Sequence, residues 1–86
     1  MPMPPFQTIS YDPIVLALLG SDERISACLV PVFQSIKNGT RQLLRIQVRQ
    51  EIYWTDACGV RLLVVVSADR RRVRISGYQI VEAIEP

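Results

Sequence analysis

The side chains that could do chemistry are eight carboxylates, two cysteines and nine arginines, in a chain of 86 residues without histidine. Without an imidazole, the chain cannot supply a Ser-His-Asp triad, a Cys-His pair or a histidine metal ligand from its own residues. No pair of carboxylates is placed beside a candidate nucleophile, and the four glycines do not cluster into a phosphate-binding loop. The sequence therefore predicts a protein that is not an enzyme and that has no cofactor or metal.

The two cysteines, Cys28 and Cys58, are far apart and lack the CxxC spacing of metal sites and redox motifs. We expect two reduced, buried thiols, because a disulfide, the alternative, is unnecessary in a chain with this much aliphatic residue. The longest apolar stretch near the N-terminus, residues 14–19, has no basic leader and is far shorter than the roughly 20 residues that span a bilayer. These features predict a soluble, cytoplasmic protein with no membrane partner.

The charges are unevenly distributed, although the net charge is only +2. Residues 1–39 and 78–86 carry more acids than bases, and residues 40–77 carry eight basic and three acidic side chains. Arginine binds carboxylate and phosphate through a planar fork of donors. The central segment is therefore where an acidic partner or a nucleic acid would be bound.

The length supports one folding unit. Residues 1–5, with three prolines, predict a disordered lead-in, and residues 6–86 a single α/β domain. Two structures are possible around Asp12-Pro13. One is a hairpin with strands over residues 6–11 and 14–19, and the other is a short helix that Asp12 caps, Pro13 begins and Gly20 ends. Residues 23–37 predict an amphipathic helix, which Pro31 inside it should either kink or cause to start late, near Pro31 itself.

The second half of the chain contains the ambiguity that matters most. Strict alternation predicts one strand over residues 44–54. Residues 60–68 read as a second strand by their valine content, or as a helix by the spacing of their apolar side chains, since β-branched residues cost a helix little. Residues 72–76 predict a strand and residues 78–85 a short C-terminal helix.

The segment Thr55-Asp56-Ala57-Cys58-Gly59-Val60 resembles the Asp-(Ser/Ala)-(Ser/Ala)-Gly-(Leu/Val) signature of STAS domains, the sulfate transporter and anti-sigma factor antagonist modules. The resemblance implies a helix after Gly59 and a small STAS-like mixed β-sheet with packed helices. In partner-switching members, the residue after the aspartate is a phosphorylated serine or threonine. Here that residue is Ala57, so the resemblance implies a binder that is not switched by phosphorylation at this position.

Two fold classes therefore stay open: the α/β arrangement of the resemblance, and an α+β fold with an antiparallel β-meander backed by one long helix and a short C-terminal helix. Under the first, we expect a non-catalytic regulatory module that binds a protein partner, with a homodimer as a further expectation. The partner-binding residues would be Asp56, Ala57, Cys58, Gly59 and Val60.

Under the second, an arginine-rich sheet face with one aromatic side chain would bind nucleic acid. That face would consist of Arg45, Arg49, Tyr53, Arg61, Arg72 and Arg74. A homo-oligomeric protein with neither role is the third alternative.

Overall fold

A computed structural model describes residues 5–46 and 51–81 of the chain. The elements run in the order β1 (Thr8–Tyr11), α1 (Pro13–Ser21), α2 (Glu23–Lys37), β2 (Leu44–Arg45), β3 (Ile52–Ala57), β4 (Val60–Val66) and β5 (Arg72–Ile80). The predicted α/β class, a mixed sheet with packed helices, is confirmed.

The five strands form one sheet in the order β1-β5-β4-β3-β2. Strands β2 to β5 are antiparallel neighbours, and β1 lies parallel to β5, with Thr8 opposite Arg72. A bulge between Leu63 and Val64 shifts the register of β4 on β5. The sheet therefore combines an antiparallel meander with one parallel edge strand that the first segment of the chain supplies.

Two aspartates start the helices. The Asp12 carboxylate accepts from the Ile14 amide at 3.1 Å, and Pro13 follows as the first helical residue of α1. Asp22 ends α1 and begins α2, accepting from the amides of Arg24 and Ile25 through one carboxylate oxygen. Side chains of this kind satisfy amides that have no partner within the helix.

Both helices pack on the same face of the sheet. The core contains Leu29, Phe33 and Ile36 of α2, and Phe33 makes an edge-on contact with Tyr11 at a ring separation of 5.1 Å. Alternate residues of β4 complete it, since Val60, Leu62, Val64 and Val66 are buried and the residues between them are more exposed. The other face of the sheet is left without a covering layer among the described residues.

The alternative interpretation of the N-terminal region is the correct one. Residues 14–19 lie in α1 and do not form the second strand of a hairpin. The cap at Asp12 and the proline after it outweigh the β-propensity of this short apolar run. Helix α2 spans Glu23–Lys37 and continues through Pro31, so the alternative of a late start near Pro31 is wrong. Residues 1–4 of the predicted lead-in lie outside the described part of the chain.

The prediction of one continuous strand over residues 44–54 is wrong, because two strands lie in this range. Leu44 and Arg45 form β2, a separate strand that is antiparallel to β3 and pairs with Trp54 and Tyr53. The apolar alternation is the same in both strands because directly opposed residues in an antiparallel pair share a face.

Residues 60–66 form β4, so the helix that the resemblance implied after Gly59 is absent. The predicted C-terminal helix is also wrong over its first three residues, because β5 continues to Ile80. In both segments, pairing with neighbouring strands decides the backbone conformation, since tertiary contacts override the weak preference of a short apolar pattern. Residues 82–85 of that predicted helix lie outside the described residues.

The prediction of two reduced thiols is wrong. Cys28 of α2 and Cys58 in the β3–β4 turn form a disulfide with a Cα–Cα distance of 6.0 Å. The turn has two central residues, Cys58 and Gly59, both at positive φ, 59° and 73°. This pattern is the type I′ geometry of tight hairpins, which matches the twist of the flanking strands. The disulfide thus ties the hairpin tip to the second helix.

Candidate functional site

The surface of most interest is the sheet face that the helices leave uncovered, which we call the outer face. Its side chains form rows across the strands, because directly opposed residues point to the same side. From the β3–β4 turn toward the β4–β5 turn, the successive rows are Asp56, Arg61 and Gln79; Leu44, Trp54, Leu63 and Gly77; Ile52, Val65, Arg74 and Ser10; and Arg72 with Thr8.

The second row is an apolar strip. Leu44, Trp54 and Leu63 lie opposite one another on β2, β3 and β4, and Leu44 and Leu63 are 43% and 37% exposed. The strip ends at Gly77 on β5, whose missing side chain leaves Leu63 uncovered on that side. Solvent-exposed apolar side chains arranged contiguously are a recurring property of interaction surfaces.

Arg61 joins the apolar strip to the neighbouring polar row. Its guanidinium lies 4.2 Å from the centre of the Trp54 ring, within the range of a cation–π interaction. The same group donates to both carboxylate oxygens of Asp56, at 2.9 and 3.1 Å. Hydrogen bonds from Arg61 hold the pKa of the Asp56 carboxyl below its ordinary value. Asp56 is thus an ionised anchor for Arg61.

Arg41 contacts the part of β3 that extends past the short strand β2. Its Nε donates to the Thr55 hydroxyl at 2.8 Å, and its Nη2 donates to the Asp56 carbonyl at 2.7 Å. Beside it lies an open depression of about 270 Å³, lined by Gln42, Leu44, Trp54, Thr55 and Asp56. The depression begins at the apolar strip, so an apolar side chain resting on Leu44 and Trp54 can enter it.

The end of the outer face near the β4–β5 turn is cationic. Arg71 and Arg72 follow one another there, whereas Arg70 reaches Glu51 and Asp69 is engaged within the turn. The Asp69 carboxylate accepts from the Ser67 hydroxyl and the Arg71 amide, which lower its pKa. Among the described residues, neither Arg71 nor Arg72 has a carboxylate within ion-pairing distance.

A second polar cluster lies on the opposite side of the sheet. The buried Tyr53 donates its hydroxyl to Glu51, which also binds Arg45 at 2.7 Å and Arg70 at 3.4 Å. The hydrogen bond from Tyr53, with the two arginines, lowers the pKa of Glu51, and the same bond raises the pKa of Tyr53. Glu51 therefore links Tyr53, Arg45 and Arg70 through its ionised carboxylate.

The residues predicted to bind a protein partner all lie at or beside the β3–β4 turn, but they point in different directions. Asp56 and Gly59 are exposed, and Cys58 is in the disulfide. Val60 is only 1% exposed and belongs to the core, with Ala57 packed against it. Of the five residues, only Asp56 belongs to the outer face.

The arginine-rich face predicted as the alternative is divided by the structure. Arg61, Arg72 and Arg74 do share the outer face, but Arg45 and Tyr53 are directly opposed on the helix side. Arg49 lies outside the described residues. The aromatic side chain on the outer face is Trp54, which the predicted site lacked. The sequence signal for Trp54 is the alternation of side chains along β3: because Tyr53 is buried on the helix side, the adjacent Trp54 must face outward.

Among the described residues, no helix is both long and apolar enough to cross a membrane. The described part of the chain also contains no group of three or more cysteine and carboxylate side chains that could hold a metal ion. No protein family, curated protein or solved structure matches the chain. The geometry of the outer face is therefore the basis on which a function is assigned.

Proposed function

We propose that this protein is a non-catalytic protein-binding module whose partner docks on the outer face of the sheet. The observation that carries the proposal is the strip of Leu44, Trp54 and Leu63, which crosses three strands and exposes its two leucines to solvent. Tryptophan and arginine are enriched among the residues that dominate binding energy at protein interfaces. Trp54 and Arg61 provide this pair at the centre of the face.

The roles of five carboxylates in the described part of the chain support a non-catalytic protein. Asp12 and Asp22 cap helices, and Asp69 holds a turn. Glu51 and Asp56 are paired with arginines, and their pKa values are lowered. A general base works best with a pKa near the operating pH, so lowered carboxyl pKa values favour a structural role.

The composition of the outer face favours a protein over a nucleic acid. Its aromatic side chain, Trp54, is already covered by Arg61, and Arg61 is held by the negative charge of Asp56. Base stacking requires open aromatic surfaces, and phosphate is repelled by a carboxylate. The aliphatic side chains Leu44 and Leu63 suit the apolar core of a protein interface better.

The Cys28–Cys58 disulfide indicates that the protein works in an oxidising compartment, because disulfides are rare in the reducing cytosol. An oxidising compartment therefore fits the chain better than the cytoplasmic location that the sequence predicted.

The proposal is tested by selecting binders from a displayed library of random peptides against the oxidised protein. Trp54 is the only tryptophan, so its fluorescence reports directly on the outer face when peptides that lack tryptophan are added. Selected peptides are expected to change this fluorescence, and Leu63→Glu is expected to weaken their binding at least about tenfold, because it places a charge in the apolar strip.

The matched control is Val30→Glu, which changes a more exposed aliphatic residue on α2 (57% against 37% for Leu63), away from the outer face. This variant is expected to bind the selected peptides with unchanged affinity. Peptides that bind Leu63→Glu as well as the original protein, or that lose affinity only with Val30→Glu, would overturn the proposal. Circular dichroism of both variants establishes that they are folded.

A further inference from the structure

Resting on the proposed function, we infer that the partner presents an extended acidic segment: one apolar anchor side chain, with carboxylate side chains two and four positions further along. The anchor lies on Leu63 and Trp54, and the carboxylates meet Arg74 and Arg72. The inference follows from the spacing of the rows on the outer face and from the charge that the described residues leave without a partner.

The spacing comes from the strands themselves. Successive side chains on one face of a strand are about 7 Å apart. Val65, two residues after Leu63 on β4, is directly opposite Arg74. Ser67, two residues further, donates its amide to the carbonyl of Arg72. Measured along the strands, Arg74 and Arg72 therefore lie about 7 and about 14 Å from Leu63. An extended segment running parallel to β4 has this same repeat.

The positive charge available to a partner is what the ion pairs of the outer face leave unneutralised. Arg74 uses its Nη2 to contact the Asp12 carboxylate at 3.0 Å. Arg72 has no carboxylate within ion-pairing distance among the described residues, and it stands beside Arg71, which has none either. A carboxylate approaching from outside therefore meets donors that can form charge-assisted hydrogen bonds with it.

A second copy of the chain fits this surface less well than an acidic partner. The carboxylates in and beside the described outer face are already engaged: Asp56 by Arg61, Asp12 by Arg74, and Asp69 within the β4–β5 turn. A copy docked face to face would therefore bring arginines without bringing a free acid to neutralise them. Electrostatic complementarity selects a partner of opposite charge.

The experiment titrates the oxidised protein with synthetic peptides and follows Trp54 fluorescence. The probe peptide has one phenylalanine, with glutamates two and four positions later in a glycine-serine background. One control peptide has glutamines in place of the glutamates, and another has serine in place of the phenylalanine. The glutamine peptide is expected to bind about tenfold more weakly than the probe at low salt. The serine peptide is expected to bind no more tightly than the glutamine peptide.

The variant Arg72→Gln is expected to remove most of the difference between the glutamate and glutamine peptides. The matched control, Arg24→Gln on α2, is expected to retain it in full. Equal binding of the two peptides by the original protein, or an unchanged difference in Arg72→Gln, would overturn the inference. So would an absence of measurable binding by the probe peptide.

Two further results separate the possible failures. Library peptides that bind the outer face without acidic residues at this spacing would refute the inference and leave the proposed function standing. A thymidine oligonucleotide that binds more tightly than the probe peptide, with an affinity that falls steeply with salt, would identify nucleic acid as the ligand and overturn both.

Discussion

The guanidinium of Arg61 is shared between the Trp54 ring, 4.2 Å from its centre, and the two carboxylate oxygens of Asp56. The register of the β3–β4 hairpin makes this possible, because Asp56 is directly opposite Arg61 and Trp54 directly opposite Leu63. The tight turn that sets this register contains Cys58, which the disulfide attaches to α2. The arrangement of the outer face therefore depends on a turn at its margin.

Replacing Arg61 with alanine should uncover the Trp54 ring. We expect the fluorescence emission of Trp54 to move to longer wavelength, because water replaces the guanidinium over the indole. The pKa of Asp56 should rise toward its ordinary value, because Arg61 is the main cause of its lowering. The control is Arg72→Ala, which removes an arginine from the same face. Unchanged emission in Arg61→Ala would contradict the stacked arrangement.

Removing the disulfide should destabilise the protein substantially. For cysteines separated by 30 residues, the chain-entropy model gives a loss of about 3.5 kcal/mol in the free energy of unfolding. Urea denaturation of the Cys28→Ala, Cys58→Ala double variant measures this loss. Dithiothreitol should lower the stability of the original protein and leave that of the double variant unchanged. Equal stability of the original protein and the double variant in the absence of reductant would show that this bond does not constrain the chain.

Two glycine-to-alanine substitutions should have opposite effects. Gly59 has a φ of +73°, where a side chain costs about 1 kcal/mol or more, so Gly59→Ala should lower stability. Gly20 lies inside α1, with no atom within 4 Å of an added Cβ, so Gly20→Ala should raise stability by about 0.5–1 kcal/mol. Urea denaturation measures both changes. A shift of the same sign in the two variants would contradict the assigned backbone conformations.

The Tyr53–Glu51 hydrogen bond should make stability depend on pH at both extremes. The pKa of Glu51 is lowered on folding, so its contribution is present above about pH 4.3 and is lost as the pH falls through the lowered value. The pKa of Tyr53 is raised, so its contribution is present below about pH 10 and is lost as the pH rises through the raised value.

The substitution Tyr53→Phe should therefore flatten both limbs of the stability profile and raise the pKa of Glu51. Urea denaturation across the pH range and a carbon NMR titration of the Glu51 carboxyl measure the two effects. The control is Tyr78→Phe, which changes a partly buried tyrosine of β5 that packs against the same core. An acid limb as steep in Tyr53→Phe as in Tyr78→Phe would rule out this hydrogen bond as its cause.

Local signals in the sequence predicted part of the fold correctly. The capping aspartate at the start of α2 and the regular apolar spacing through Phe33 locate that helix. The valine content of β4 predicts its strand correctly, whereas the spacing of its apolar side chains and the resemblance both predict a helix, which is wrong. This segment is a strand because it pairs with β3 on one side and with β5 on the other. Such pairing cannot be inferred from the residues of the segment alone.

The candidate site was less accessible to prediction, for two physical reasons. In β3, alternation separates Trp54 from Tyr53 and Thr55, but it does not say which side faces the helices. Polarity points the wrong way here, because Thr55 is buried with its hydroxyl satisfied by Arg41, and Trp54 faces outward. The disulfide was missed because the spacing of two cysteines says nothing about their distance once α2 has folded back on the sheet.

The parallel pairing of β1 with β5 has a consequence for the order of folding. Arg74 reaches Asp12, which lies 62 positions earlier in the chain, and the ladder around this ion pair joins the first strand to the last. During synthesis, β1 and both helices leave the ribosome before the strand that β1 pairs with exists. Contacts this distant in sequence slow folding. The apolar surfaces of α1 and α2 therefore stay uncovered until the later strands have been synthesised, an interval in which exposed apolar surface favours contacts between chains.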